Sequence, residues 1–145
     1  MRAVADTGPL FAAISRSQPA HAAAAHLVSR IGRELIVLSW VAAELDYLAR
    51  KRLGPAAARA FARALVDGTH RFVPGSPGLL ARAAEIDRRY GDLDIGLVDA
   101  SIMAYAERHE LPILTFDYKH FRATAPARGS WRLVINEAQY QRAAS

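Results

Sequence analysis

Apolar residues along this chain alternate between two kinds of segment. Short apolar runs bounded by turn residues occur at Arg2–Ala5, Glu34–Leu38, Arg71–Val73, Pro112–Thr115 and Trp131–Ile135. Runs of that length and setting predict strands, the first ending in the turn Asp6-Thr7-Gly8-Pro9. Between them lie longer stretches with apolar residues at helical spacing. Pro9–Ile14 predicts a short helix, and Ser17-Gln18-Pro19 caps an Ala-rich one running to about Arg30. Ser39 is expected to cap a helix over Trp40–Arg52 with Val41, Leu45 and Leu48 on its apolar face, and Gly54-Pro55 ends it and opens Pro55–Val66. Ser76-Pro77 opens a helix to about Tyr90, and Leu97–His109 follows with Leu97, Ile102, Met103 and Tyr105 as core. Asp117–Phe121 reads as a helical turn and Ala123–Ser130 as a loop.

Strands that alternate with helices from end to end require crossover connections, which are right-handed and make the sheet mainly parallel. The fold class is therefore α/β, a three-layer α/β/α domain with a central sheet of four to five strands. The 145 residues are the length of one domain, 1–145, able to bury roughly 68–70% of its unfolded surface. With 52% hydrophobic residues, disorder is excluded. No cysteine is present, which excludes disulfides, thiol catalysis and zinc–thiolate sites and fits a reducing compartment. No apolar stretch approaches the ~18 residues of a membrane span, and Asp6 interrupts any signal-peptide core. A soluble cytoplasmic chain without a membrane partner is expected.

Charge narrows the partners. Lys and Arg number 19 against 14 Asp and Glu, a formal net charge of +5, and only Lys51 and Lys119 are lysines. A basic, arginine-dominated surface favours polyanions such as nucleic acid, or an acidic protein. A GC-rich genome yields the same Ala- and Arg-rich composition. Arg50-Lys51-Arg52 and Arg88-Arg89 read as solvated helix ends that would become phosphate contacts on an RNA-binding protein.

In open α/β sheets ligands bind beyond the carboxyl ends of the strands. Asp6 directly follows the first strand and Asp117 the fourth, while Glu44 and Asp99 lie in the first turns of helices, so all four face one rim. Singly, each has an ordinary explanation as turn former, helix-dipole partner or solvated residue. Together they do not, because carboxylates ~4 Å apart repel by about 4 kcal/mol per pair at an effective dielectric of 20. Such a cluster persists by protonation or by binding a cation. Oxygen donors, without cysteine and without a well-placed histidine, select Mg²⁺ or Mn²⁺.

Asp6-Thr7-Gly8-Pro9-Leu10, Glu44-Leu45, Gly96-Leu97-Val98-Asp99-Ala100-Ser101-Ile102 and Leu114-Thr115-Phe116-Asp117 with His120-Phe121 resemble, in order and spacing, the PIN-domain ribonucleases. More narrowly they resemble the VapC toxins of bacterial type II toxin–antitoxin systems, over residues 1 to about 121. The resemblance implies a PIN-like fold and a Mg²⁺- or Mn²⁺-dependent endoribonuclease that cuts tRNA or rRNA and inhibits translation. Asp6 and Asp99 would be the main metal ligands, with Glu44 and Asp117 completing the catalytic shell, directly or through water. Thr7 and Thr115 would position phosphate or water, and His120 is a candidate substrate contact. Asp94 reads as a turn or cap residue outside the site. The resemblance further implies a cognate VapB-like antitoxin covering the site with a basic side chain, received on the early helices Pro9–Arg30 and Trp40–Val66, and a homodimer.

Two other readings stand beside this one: another metal phosphohydrolase on an acidic rim, and a non-catalytic PIN-like module that binds RNA or protein. The nucleophilic-Asp phosphatases place a second Asp two residues after the first, where this chain has Gly8. His21 and His26, five apart, do not share a helical face as metal ligands at i, i+4 do. His70 falls in a strand region and His109 at a helix end. No Gly-rich phosphate loop or nucleophile elbow is present. Trp40, Phe61 and Trp131 read as core or interface anchors.

Overall fold

A computed structural model describes all residues, 1–145. Four short strands, β1 (Ala3–Ala5), β2 (Leu35–Leu38), β3 (Arg71–Val73) and β4 (Ile113–Leu114), form one parallel sheet in the order β3-β2-β1-β4. The register pairs Val4 with Ile36 on one side and with Ile113 on the other. Every residue of β1 and β2 is buried, as a parallel sheet covered on both faces requires. The helices are α1 (Thr7–Ile14), α2 (His21–Ile31), α3 (Ser39–Leu53), α4 (Pro55–Val66), α5 (Pro77–Arg89), α6 (Gly96–His109), α7 (Tyr118–Ala123) and α8 (Glu137–Ala144). α5 packs on α6, α1 on α2 and α3, and α3 on α4.

The strand order has a functional consequence. From β1 the chain winds outward through β2 to β3, then returns to place β4 on the opposite side of β1. The direction of winding thus reverses between β1 and β4, and their carboxyl ends are where such sheets bind ligands. The Asp6 N–H donates to the Leu114 carbonyl at 2.8 Å, extending the ladder by one step and setting Asp6 beside Thr115.

The three-layer α/β reading holds, with four strands. Trp131–Ile135 is not a fifth strand: only Leu133 makes a parallel bridge, to Ile113, flanked by hydrogen bonds from Ile113 N to Arg132 O and from Val134 N to Ile113 O. β4 is two residues long and offers no longer edge to pair with. Ser39 does not cap α3. Its hydroxyl accepts from the Gly75 N–H at 2.8 Å, tying the start of α3 to the loop after β3. Gly75 also lies under the Trp40 ring, where an added Cβ would meet ring carbons at 2.2 Å. Leu97, expected in the core, is 40% exposed, whereas Ile102, Met103 and Tyr105 are buried. Trp40, Phe61 and Trp131 are half-buried against the core. No helix is long and apolar enough to cross a membrane.

Candidate active site

Asp6 is buried at the head of α1, and both its carboxylate oxygens are occupied. Oδ1 accepts from the Thr7 N–H and Oδ2 from the Thr115 hydroxyl, each at 2.7 Å. Thr115, fully buried just past β4, also accepts from the Asp117 N–H at 2.9 Å. One hydroxyl therefore ties the ends of β1 and β4 together. Thr115→Val should cost about 1–3 kcal/mol in chemical denaturation, because it orphans a buried carboxylate oxygen and the Asp117 N–H.

Asp99 lies in the first turn of α6. The chain turns into that helix through Gly96 at φ +85°, a conformation costly for any residue with a Cβ. The Gly96 N–H is held by Asp87 Oδ1 of α5 at 3.1 Å, which fixes where α6 begins. Asp94 stands just before, at positive φ and exposed, and it is a turn residue outside the cluster.

Asp117 caps α7, and Oδ1 accepts from the His120 N–H at 3.1 Å. His120 Nδ1 lies 2.7 Å from Asp117 Oδ2 and 3.1 Å from Asp99 Oδ2. Donor atoms of Asp99, Asp117 and His120 fall within 4.8 Å of one another. The sequence offered no well-placed histidine, and this is corrected: His120 stands inside the cluster. Its i, i+3 relation to Asp117 was legible in the sequence, but its contact with Asp99 depends on tertiary structure.

Burial pushes the Asp6 carboxyl up to about 6, against the hydrogen bonds from Thr115 and Thr7 and helped by the charges of Asp117 and Glu44. Asp99 rises to about 7, first through burial and then through the charge of Asp6, with the His120 hydrogen bond opposing. For His120, burial favours the neutral ring, yet its hydrogen bond to Asp99 and the two carboxylates raise its pKa above the ordinary value. Such displacements mark negative charge that the protein itself leaves largely uncompensated.

The structure gathers the donor atoms of Asp99, Asp117 and His120, and sets Asp6 beside them, outside that tight group, through its hydrogen bond from Thr115. Glu44 stays at the margin: it is exposed on α3, contributes charge to Asp6, and lies outside the tight donor group. Thr7 is buried beside Asp6, and its hydroxyl has no hydrogen-bond partner. An orphaned hydroxyl next to a surplus of carboxylate oxygen fits a site completed by a cation and its water. Two other histidines are structural: His21 Nδ1 bonds the Ala12 carbonyl and His70 Nδ1 the Gly32 carbonyl, each at 2.8 Å.

A parallel α/β sheet carrying an acidic cluster at its reversal of winding defines the class, and comparison with known proteins agrees. The PIN domain family model matches residues 3–126, so the chain belongs to the PIN-domain family. Within it the chain is of VapC type. It is 35% identical over 133 residues to Ribonuclease VapC26 of Mycobacterium tuberculosis (strain ATCC 25618 / H37Rv), covering 91% of this chain and 98% of the relative. Among solved structures it superposes on M. tuberculosis VapC20, described as a sarcin-ricin loop cleaving toxin, with TM-score 0.75 at 21% identity, covering 83% of this chain and 93% of that one. A toxin–antitoxin complex from Klebsiella pneumoniae matches with TM-score 0.63 at 21% identity, covering 82% and 89%. VapBC2 from Rickettsia felis, bound to a DNA fragment from their promoter, matches with TM-score 0.63 at 18% identity, covering 85% of this chain and 92% of that one.

Proposed function

We propose that this chain, acting as one unit over residues 1–145, is a VapC-type endoribonuclease toxin that hydrolyses phosphodiester bonds in tRNA or rRNA. The carrying observation is the convergence of Asp6, Asp99 and Asp117 on one crevice, with the first two held at raised pKa. Asp6 and Asp99 would hold Mg²⁺ or Mn²⁺, with Glu44 and Asp117 acting through water. When bound, the ion would supply Lewis acidity toward the phosphodiester and lower the pKa of an attacking water.

The protein's own contribution is placement. Thr115 fixes Asp6 against rotation, and His120 fixes Asp117 through its backbone N–H and its ring. The unpartnered Thr7 hydroxyl is available to a phosphate oxygen or an ordered water. Lys119, exposed beside Asp117, supplies positive charge at the rim. Substrate binding should weaken with salt as phosphate contacts release counterions.

A toxin of this kind requires an inhibitor. A VapB-like antitoxin fits the α3–α4 hairpin, which exposes Tyr47, Leu53 and Val66. Its basic side chain would satisfy the carboxylates, and assembly as a homodimer is part of the same reading. The family relationship supports a cytoplasmic setting.

Incubating the purified chain with total RNA in Mg²⁺ or Mn²⁺ should give discrete cuts with 5′-phosphate and 3′-hydroxyl ends, mapped by sequencing and abolished by chelator. Hydrolysis of a phosphomonoester with no RNA cut would favour the other phosphohydrolase reading. RNA binding without turnover would favour a non-catalytic module.

A further inference from the structure

Resting on the metal-dependent reading above, we propose that His120, by holding its ring Nδ1 between Asp99 and Asp117, fills the position of a second divalent ion, so that the cluster takes one ion on its Asp6–Asp99 side.

Two-metal phosphodiesterase sites hold their ions about 3.5–4 Å apart. Asp99 faces Asp117 across the ring nitrogen of His120. On its Asp117 side the space is already filled. Nδ1 of His120 stands 2.7 Å from one carboxylate and 3.1 Å from the other, both hydrogen-bond lengths.

The stronger observation concerns Asp117. Both its oxygens are engaged by one residue, Oδ1 by the His120 N–H and Oδ2 by the His120 ring. The ring is mostly buried, its side chain 20% exposed, and swinging it away would break both carboxylate contacts. Two carboxylates facing Nδ1 require its single hydrogen to be there, in the charged ring or the Nδ1–H tautomer, and that hydrogen is shared between them. His120 is then a positioning residue: it orients Asp117 without an ion and leaves a single cation to act on substrate.

The opposite role is a nitrogen ligand that itself binds a metal with Asp99 and Asp117, and the two roles predict different stoichiometries. Mn²⁺ titrated into the full chain and followed by electron paramagnetic resonance should saturate at about one ion per chain. His120→Ala, with its melting checked in parallel, should saturate at about two, because Asp99 and Asp117 become free to share an ion. Adding Asp117→Asn to His120→Ala should return the count to about one. His120→Asn serves if the alanine variant does not fold.

Two ions on the wild-type chain, or a count unchanged in His120→Ala, overturns the proposal while leaving a metal nuclease intact. Weaker binding with no added ion in that variant makes His120 a ligand and also overturns it. No Mn²⁺ bound to the wild-type chain removes both this proposal and the metal-dependent reading beneath it.

Discussion

Asp6→Asn and Asp99→Asn should each lower RNA cleavage by about a thousandfold or more while leaving the chelator-treated protein at least as stable at pH 7 as the wild type. The first half follows from the electrostatic role assigned to the site, where loss of several kcal/mol of transition-state stabilisation translates into such a factor. The second follows from burial. Both carboxyls titrate well above the ordinary carboxylate value because their charged forms are penalised inside the protein. A neutral isostere escapes that penalty.

Geometry permits the exchange at Asp6. The asparagine oxygen can accept from the Thr7 N–H, and the Thr115 hydroxyl, a donor to Asp6 in the native chain, can turn to accept from the new amide. Single-turnover cleavage and thermal unfolding in chelator measure the two halves separately. Wild-type rates in both variants would remove these residues from the site; a large loss of stability would make them structural.

The second large effect is on stability against pH. Without divalent cation, stability should fall as pH rises from about 4 to about 7, on the order of a few kcal/mol in total. The sign follows from proton counting. Asp6 is raised to about 6 and Asp99 to about 7 in the folded chain, so over that interval the native state binds more protons than the unfolded one. Stability then declines with pH. His120 works in the same direction: its raised pKa contributes stability below its ordinary value that is lost as the folded group deprotonates.

Divalent cation should reverse the trend, because it binds only the deprotonated native cluster. At 100 times its Kd it would add about 2.7 kcal/mol. Melting curves across pH, with chelator and with Mn²⁺, should therefore diverge most near neutrality. Parallel curves would mean that the cation does not engage these carboxylates.

Much of this architecture could be read from the chain itself, and the exceptions have physical causes. The runs at Arg2–Ala5, Glu34–Leu38, Arg71–Val73 and Pro112–Thr115 became β1 to β4 because apolar runs that short can be buried on both faces only as parallel strands. Trp131–Ile135 carried a similar composition, but whether a strand forms depends on the neighbouring edge, and a two-residue β4 supplies one bridge. α8 went unread although Asn136 and Gln139 form a complete capping box at its start.

Among the candidate site residues, those directly after strands were the most legible. Asp6 and Asp117 had to meet once β1 and β4 became neighbours. Glu44 was harder to place, since its position depends on the rotation of α3, which turns it outward. The role of His120 is hidden from the sequence because half of its environment comes from Asp99, on a helix whose approach local sequence does not encode.

The Thr115–Asp6 hydrogen bond joins residues 109 positions apart, and β1 finds its β4 neighbour only after β2 and β3 have been made. Vectorial synthesis on the ribosome would hold the first strand and its carboxylate without that partner until β4 emerges. A polypeptide still short of Asp117 has no assembled cluster, so a product stalled before that point would be inert.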